Sequence, residues 1–280
     1  MATLVAFLTV VWSCSNTPST QHPNPSTSVP RLSHIAIIVL ENQGYRDIVA
    51  NTNFLPLQNR GAVLRQYYGV AHDSLPNYIA MTSGAPPNAA TKANCRRFNC
   101  PIGGTQIAHQ LDAARLSWKA YFGGTANPCL TPTPGASDEF TRGYVTHHNP
   151  FAYYPAIGAD PSGGTAYCKQ HLRPLAELGD DAGAGHLPTF MFVVPDSCDD
   201  GHDNPCSDGR PGGLSLALKW AAGEVTTLTR APGWDDHSLA VVAFDEARND
   251  DASGCCGGQG GGWTAAVLIS GLIRPGRRSP

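Results

Sequence analysis

With 280 residues, 41% of them hydrophobic, the chain is long enough to bury a full core, and one large domain is the simplest account. Nineteen basic against 22 acidic residues leave a net charge of −3, and the basic pair Arg277-Arg278 is too short a run to hold nucleic acid. No nucleic-acid partner is therefore expected. Thirty Gly and 23 Pro indicate long loops between strong apolar runs rather than disorder.

The N-terminus reads as a targeting segment. Leu4 to Trp12 is apolar but far too short to span a bilayer as a mature helix, so residues 1–14 are expected to be a signal peptide. Val11-Trp12-Ser13-Cys14 resembles a bacterial lipoprotein cleavage site, which would place a lipid on Cys14 and attach the protein to a membrane. Plain secretion is the other reading, and both stay open. Residues 15–31, rich in Ser, Thr, Pro and Asn, are expected to be a solvated tether, and residues 32–280 the folded domain.

In chain order, a strand is expected over His34–Leu40 and a helix near Gly44–Asn51, followed by an extended run over Ala62–Tyr68. A helix should begin at Ser74 and end before Gly84. Thr105–Leu116 has helical periodicity, Ser117–Phe122 looks extended, and Gly123–Cys168 is rich in loops that would shape a substrate cleft. Helices are expected at Lys169–Leu178 and Gly213–Thr226, with a last strand at Trp263–Ser270. Strands alternating with helices imply an α/β fold, with a mostly parallel sheet and helices on both faces.

Three apolar runs end in acidic or amide side chains. His34–Leu40 runs into Glu41-Asn42, Pro188–Pro195 into Asp196, and Ser238–Phe244 into Asp245-Glu246. Such runs read as strands buried on both faces. Ligands of open α/β sheets bind beyond the carboxyl ends of the strands, so oxygen donors should gather on one rim, as a hard cation requires.

Ser74-Leu75-Pro76-Asn77-Tyr78 is a helix start, with Pro76 suited to the first turn. By itself it favours a plain cap. A serine there also sits at the positive end of a helix dipole, where an alkoxide and an incoming phosphate are both stabilised, and the acidic rim favours that second reading. A Ser-His-Asp hydrolase would need Gly-x-Ser-x-Gly, which neither Ser74 nor Ser83 has. Asp196 to Asp203 is dense in donors, and His202 within it would bind a metal or a phosphate. Its spacing does not match an EF-hand.

Nine cysteines are present. Setting Cys14 aside leaves an even set suited to disulfides in an exported protein. Proximity pairs Cys95 with Cys100, Cys129 with Cys168, and Cys198 with Cys206, and leaves Cys255-Cys256. Zinc is disfavoured by irregular spacings without Cys-x-x-Cys.

Taken together, Ile38–Asn42, Ser74–Tyr78, Ser117-Trp118-Lys119-Ala120-Tyr121, His148-Asn149-Pro150-Phe151, Pro195-Asp196 through His202-Asp203, and Phe244-Asp245-Glu246 resemble the bacterial phosphoesterase family of phospholipases C and acid phosphatases. That family lies within the alkaline-phosphatase-like superfamily. The resemblance implies a three-layer sandwich and an exported, metal-dependent phosphoesterase acting on phosphate-ester or phospholipid substrates. By the same resemblance, Glu41, Asn42, Asp245 and Glu246 are implied ligands of a divalent metal ion. Ser74 is the implied nucleophile, passing through a phosphoserine. Asn77 would hydrogen-bond a phosphoryl oxygen, and His148 and His202 would hold phosphate or protonate the leaving group. Asp196 and Asp200 are weaker candidates. The expected location is secreted or at a bacterial cell surface as a lipoprotein.

The chain departs from the family at Asp73, where proline is usual, and at Gly123, where many relatives have Glu. Relatives also continue past Leu268-Ile269-Ser270 into a His-containing segment, so a domain shortened at its C-terminus is expected. From that follows the alternative reading, a surface-anchored binding protein that keeps the fold without turnover.

Overall fold

Alternation along the central strands organises the molecule. In the computed structural model, which describes residues 30–278 apart from 93, 96–99, 134 and 137–142, sixteen strands and α-helices follow one another. In chain order they are β1 (Ile35–Leu40), α1 (Tyr45–Ala50), α2 (Leu55–Gln58), β2 (Ala62–Tyr68), α3 (Ser74–Ser83), α4 (Ala89–Lys92), α5 (Ile107–Ala113) and β3 (Trp118–Phe122). After the loop region come α6 (Ala166–His171), β4 (Leu172–Pro174), α7 (Ala176–Gly183), β5 (Phe190–Val194), α8 (Leu214–Arg230), β6 (Leu239–Phe244), β7 (Trp263–Ile269) and β8 (Arg277–Arg278). The signal segment with Cys14, and nearly all of the tether, lie outside the described residues.

The strands form one eight-stranded sheet in the order β4-β3-β5-β1-β6-β7-β2-β8. Every pairing is parallel except those of β7, which runs antiparallel to both β6 and β2. Ala36, Ile38 and Leu40 of β1, with Met191 and Val193 of β5, pack against α1, α7 and α8. The intervening Val39, Phe190, Phe192 and Val194 face the opposite way, into a second core with α3, α5 and the Tyr144–Ile157 loops. A strand with apolar residues at every position can only be covered from both sides, and the result is a three-layer α/β sandwich.

The mostly parallel sheet with helices on both faces is thus as expected. Two expectations change. The helix expected over Lys169–Leu178 is broken into α6, the short strand β4 and α7. Pro174 has no N–H for a helix interior, and an edge strand tolerates it; β4 pairs with β3 at the sheet margin. The strand at Trp263–Ile269 is followed by the two-residue β8, so it is not the last.

Disulfides join Cys95 to Cys100, Cys129 to Cys168, and Cys198 to Cys206. Cys255 and Cys256 are free and exposed.

Candidate active site

β5, β1 and β6 are adjacent in the sheet and parallel, so their carboxyl ends meet on one rim. Each end is tied to its neighbour through the backbone. Asp245 N–H donates to Leu40 O at 2.9 Å, Glu41 N–H to Asp200 O at 2.9 Å, and Gln43 N–H to Glu246 O at 3.2 Å. These bonds bring Glu41, Asp200, Asp245 and Glu246 together, all four buried.

α3 carries Ser74 to the same rim. The turn before it is held by Asn77, whose Oδ1 accepts from Val70 N–H at 2.7 Å and whose Nδ2 donates to Ala71 O at 2.8 Å and Asp73 O at 3.1 Å. Both ends of that amide are therefore engaged with backbone. Ser74 Oγ lies 3.0 Å from Glu41 Oε2 and 3.3 Å from Glu246 Oε1. Tyr78, one turn on, donates to Glu41 Oε1 at 2.6 Å. Asn42 has a positive φ of 53°, and its N–H reaches Asp245 Oδ1 at 3.2 Å.

The histidines approach from the loops. His148 is only 5% exposed. Its Nε2 lies 3.4 Å from Glu41 Oε1 and its Nδ1 3.4 Å from Asp200 Oδ2, and its ring stacks on Tyr78 at 5.3 Å between centroids. His202 is half-exposed beside Asp203, 2.9 Å away, with its ring 6.4 Å from that of His148. His72 pairs with Glu246 through Nδ1 and reaches Asp251 O with Nε2 at 3.0 Å. Ser74, Asn42, Glu246, His147, His148 and His202 all line a cleft of about 420 Å³. Asp196 instead closes its own loop, accepting from Cys198 and Asp199 N–H at 3.1 and 3.0 Å.

Four buried carboxyls in one cluster are electrostatically costly unless a cation or protons compensate them. Burial, then the charges of Asp245 and Asp200, pushes Glu41 well above the usual carboxylate range. Burial likewise raises Asp200 and takes Asp245 up to about 6. Glu246 rises through burial and the charge of Asp245. Burial, with His147 and His202 nearby, holds the His148 imidazole well below its usual value. Asp200 Oδ2 and Asp245 Oδ2 are buried without a hydrogen-bond partner.

Such orphaned oxygens, in a set of carboxylates with one imidazole, fit a divalent cation. Donor atoms of Glu41, His148 and Asp200 lie within 4.8 Å of one another. Those of Asp196, Cys198 and Asp199 do so too, but the Cys198 sulfur is in a disulfide. Tyr78, His72, His147 and Asn94 also reach the site, with no role expected for them from the sequence. For His147 the signal is its adjacency to His148, and for Tyr78 its place in the Ser74–Tyr78 motif, one helical turn after Ser74; His72 and Asn94 carry none.

Comparison with known proteins matches residues 47–252 to the model of the Phosphoesterase family. An acid phosphatase of Aspergillus fumigatus is 24% identical over 208 residues, covering 74% of this chain and 43% of the fungal protein. A phosphatidylinositol-3-phosphatase of Mycobacterium tuberculosis is 27% identical over 236 residues, covering 81% of this chain and 67% of the relative. The chain thus spans less than half the length of the Aspergillus enzyme. Among solved structures, a protein of the alkaline phosphatase superfamily from Vibrio parahaemolyticus superposes with a TM-score of 0.55 at 15% identity, over 89% of this chain and 62% of that one. At that identity the likeness speaks for the fold.

Proposed function

Because the chain belongs to the Phosphoesterase family, with 206 of its 280 residues matched (positions 47 to 252), we propose that it is an exported, metal-dependent phosphoesterase with Ser74 as nucleophile. The observation that carries this reading is the placement of Ser74 Oγ, lining an open cleft yet within 3.0 Å of a buried carboxylate. Asp73, not Ser74, is the N-cap of α3, and a serine that merely opens a helix has no need of such a partner. A serine that must lose its proton does.

In the first step the Ser74 proton passes to Glu41 Oε2 as Oγ forms a bond to phosphorus. The bond from phosphorus to the leaving oxygen breaks, and that oxygen takes a proton from a histidine. His202 suits this role, since it is half-exposed and faces Asp203. His148, whose burial favours the neutral ring, would donate a hydrogen bond to a phosphoryl oxygen. In the second step water gives a proton to His202 as its oxygen forms a bond to phosphorus, the bond from phosphorus to Ser74 Oγ breaks, and Oγ takes back the proton held on Glu41. Asn77 is assigned to holding the Val70–Asp73 turn, and so acts on Ser74 rather than on phosphate.

A divalent ion would be held by Glu41, Asn42, Asp245 and Glu246, with Asp200 and His148 alongside. Bound there, it would offset the negative charge of the carboxylates, the serine alkoxide and the phosphoryl group. Without such an offset an anionic ester would be repelled. Three disulfides support an oxidising compartment outside the cytosol; lipidation at Cys14 belongs to the same proposal. Assays on aryl phosphate mono- and diesters with added divalent metals test the reading. Ser74→Ala should lower kcat by about 10³-fold or more. No turnover with any metal would leave a binding protein that keeps the fold, and an active Ser74→Ala would remove Ser74 as nucleophile. Preference for the diester would favour the phospholipase branch.

A further inference from the structure

Ser74 has a polar neighbour that the proposed mechanism does not use. Asn94 lies 20 positions on, just past α4, in a turn where both it and Cys95 have positive φ, 55° and 47°. Cys95 is tied to Cys100 by a disulfide. Asn94 tolerates the left-handed conformation better than most residues, and the turn directs its side chain back towards α3. There Oδ1 accepts from Leu75 N–H at 2.9 Å. That bond fixes the amide beside Ser74 and settles which of its ends faces the helix.

The other end is Nδ2. Asn94 is 5% exposed and lines the same cleft as Ser74. Among the described residues Nδ2 has no hydrogen-bond partner, and it is not among the fully buried orphaned atoms. The residue's share of the cleft lining and the engagement of Oδ1 with Leu75 N–H leave Nδ2 as the end free for a ligand. Asn77 offers no such donor, since its amide is taken up by the backbone. A neutral N–H donor held rigidly beside the nucleophile, in a cleft otherwise dense in carboxylates, is suited to an anionic oxygen.

We propose that Asn94 Nδ2 binds a non-bridging phosphoryl oxygen of the substrate while Oδ1 anchors the amide to Leu75. This rests on the phosphoesterase reading of the Ser74 site. It makes Asn94 a substrate-binding residue whose oxygen orients and whose nitrogen recognises.

Asn94→Asp separates the two tasks. The carboxylate keeps the shape and can still accept from Leu75 N–H, but it replaces the donor with an acceptor. The probes are orthophosphate and vanadate, titrated calorimetrically and as inhibitors against the full chain with its metal supplied. Asn94→Asp should melt within a few degrees of the wild type yet bind both anions about 10- to 100-fold more weakly, as expected for losing a hydrogen bond to a charged group. KM for an aryl phosphate should rise and kcat should fall. Asn94→Ser, which offers a shorter donor, should recover part of the binding. If Asn94→Asp binds phosphate and turns over like the wild type, Asn94 is only a helix cap and the inference fails while the phosphoesterase reading stands. If the wild type neither binds phosphate nor hydrolyses any ester, both fall together.

Discussion

Ser74 and Glu41 show how little freedom the site leaves its residues. Glu41 has both carboxylate oxygens engaged, Oε2 by Ser74 and Oε1 by Tyr78. Tyr78 is wholly buried, so its hydroxyl has no water to fall back on. Burial, followed by the Glu41 charge, pushes that phenol well above its ordinary pKa; it donates and does not ionise. Tyr78→Phe leaves one buried carboxylate oxygen short of a donor. It should destabilise the protein by about 1–3 kcal/mol and weaken the positioning of Glu41, measured by urea unfolding and by kcat for an aryl phosphate. Unchanged stability would mean that water or metal already satisfies that oxygen. Gly123 makes a different residue-level point. A Cβ there would meet Asp196 N at 2.3 Å, so no side chain has room where the ends of β3 and β5 meet.

At the scale of elements, the loop between β6 and β7 supports the turn that presents Ser74. Gly261 N–H donates to Gly69 O at 2.8 Å and Gly69 N–H to Gly262 O at 3.1 Å. A Cβ on Gly261 would meet Ala71 O at 2.2 Å. Two backbones this close leave no space for a side chain. Gly261→Ala should cost about 1–3 kcal/mol of stability and lower activity at least tenfold by displacing the Val70–Asp73 turn. Gly179→Ala serves as the control: it lies in α7 with nothing within 4 Å of the added Cβ, and should be neutral or stabilising by about 0.5–1 kcal/mol. Thermal melts and a phosphate-ester assay on both variants decide; equal behaviour would show that the loop contact does not position Ser74.

At the scale of the molecule, the buried carboxylates tie stability to pH and to metal. Their folded pKa values are raised above the unfolded ones, so each contributes stability that is fully present below the unfolded value near 4. That contribution is lost as pH rises through the folded value, about 6 for Asp245. Stripped of metal with a chelator, the protein should therefore lose stability at this cluster from about pH 4 upward, the share of Asp245 by about pH 6 and that of Glu246 only by about pH 10. A divalent ion takes over the compensation that protons provide, so the rise in melting temperature on adding metal should grow with pH across that range. A metal effect independent of pH would detach the carboxylates from metal binding.

The sequence by itself determined the layering and the rim. Continuous apolar runs at β1, β5 and β6 need cover on both faces, and the residues that end them, Glu41, Asp196 and Asp245, had to fall on one edge once the strands ran parallel. The helix start near Ser74, with Asp73 rather than Ser74 in the cap position, its left-handed stop at Gly84 with φ 70°, and the short-range disulfides Cys95–Cys100 and Cys198–Cys206 were equally legible, because helix ends and short loops are local; Cys129–Cys168 closes 39 positions. The break at Pro174, where local helical pattern gave way to an edge strand, was less so. What only the tertiary structure decided is which polar side chains face the cleft and which face backbone. Asn77 lies in the most recognisable motif, yet its amide closes a turn, whereas Asn94 sits in no motif and lines the cleft. Asp196 and Asp200 follow the same strand, yet the first caps its own loop and the second lies beside His148. Side-chain direction at these positions depends on hydrogen bonds to segments far away in the chain, and such partners leave no periodicity for a sequence to display.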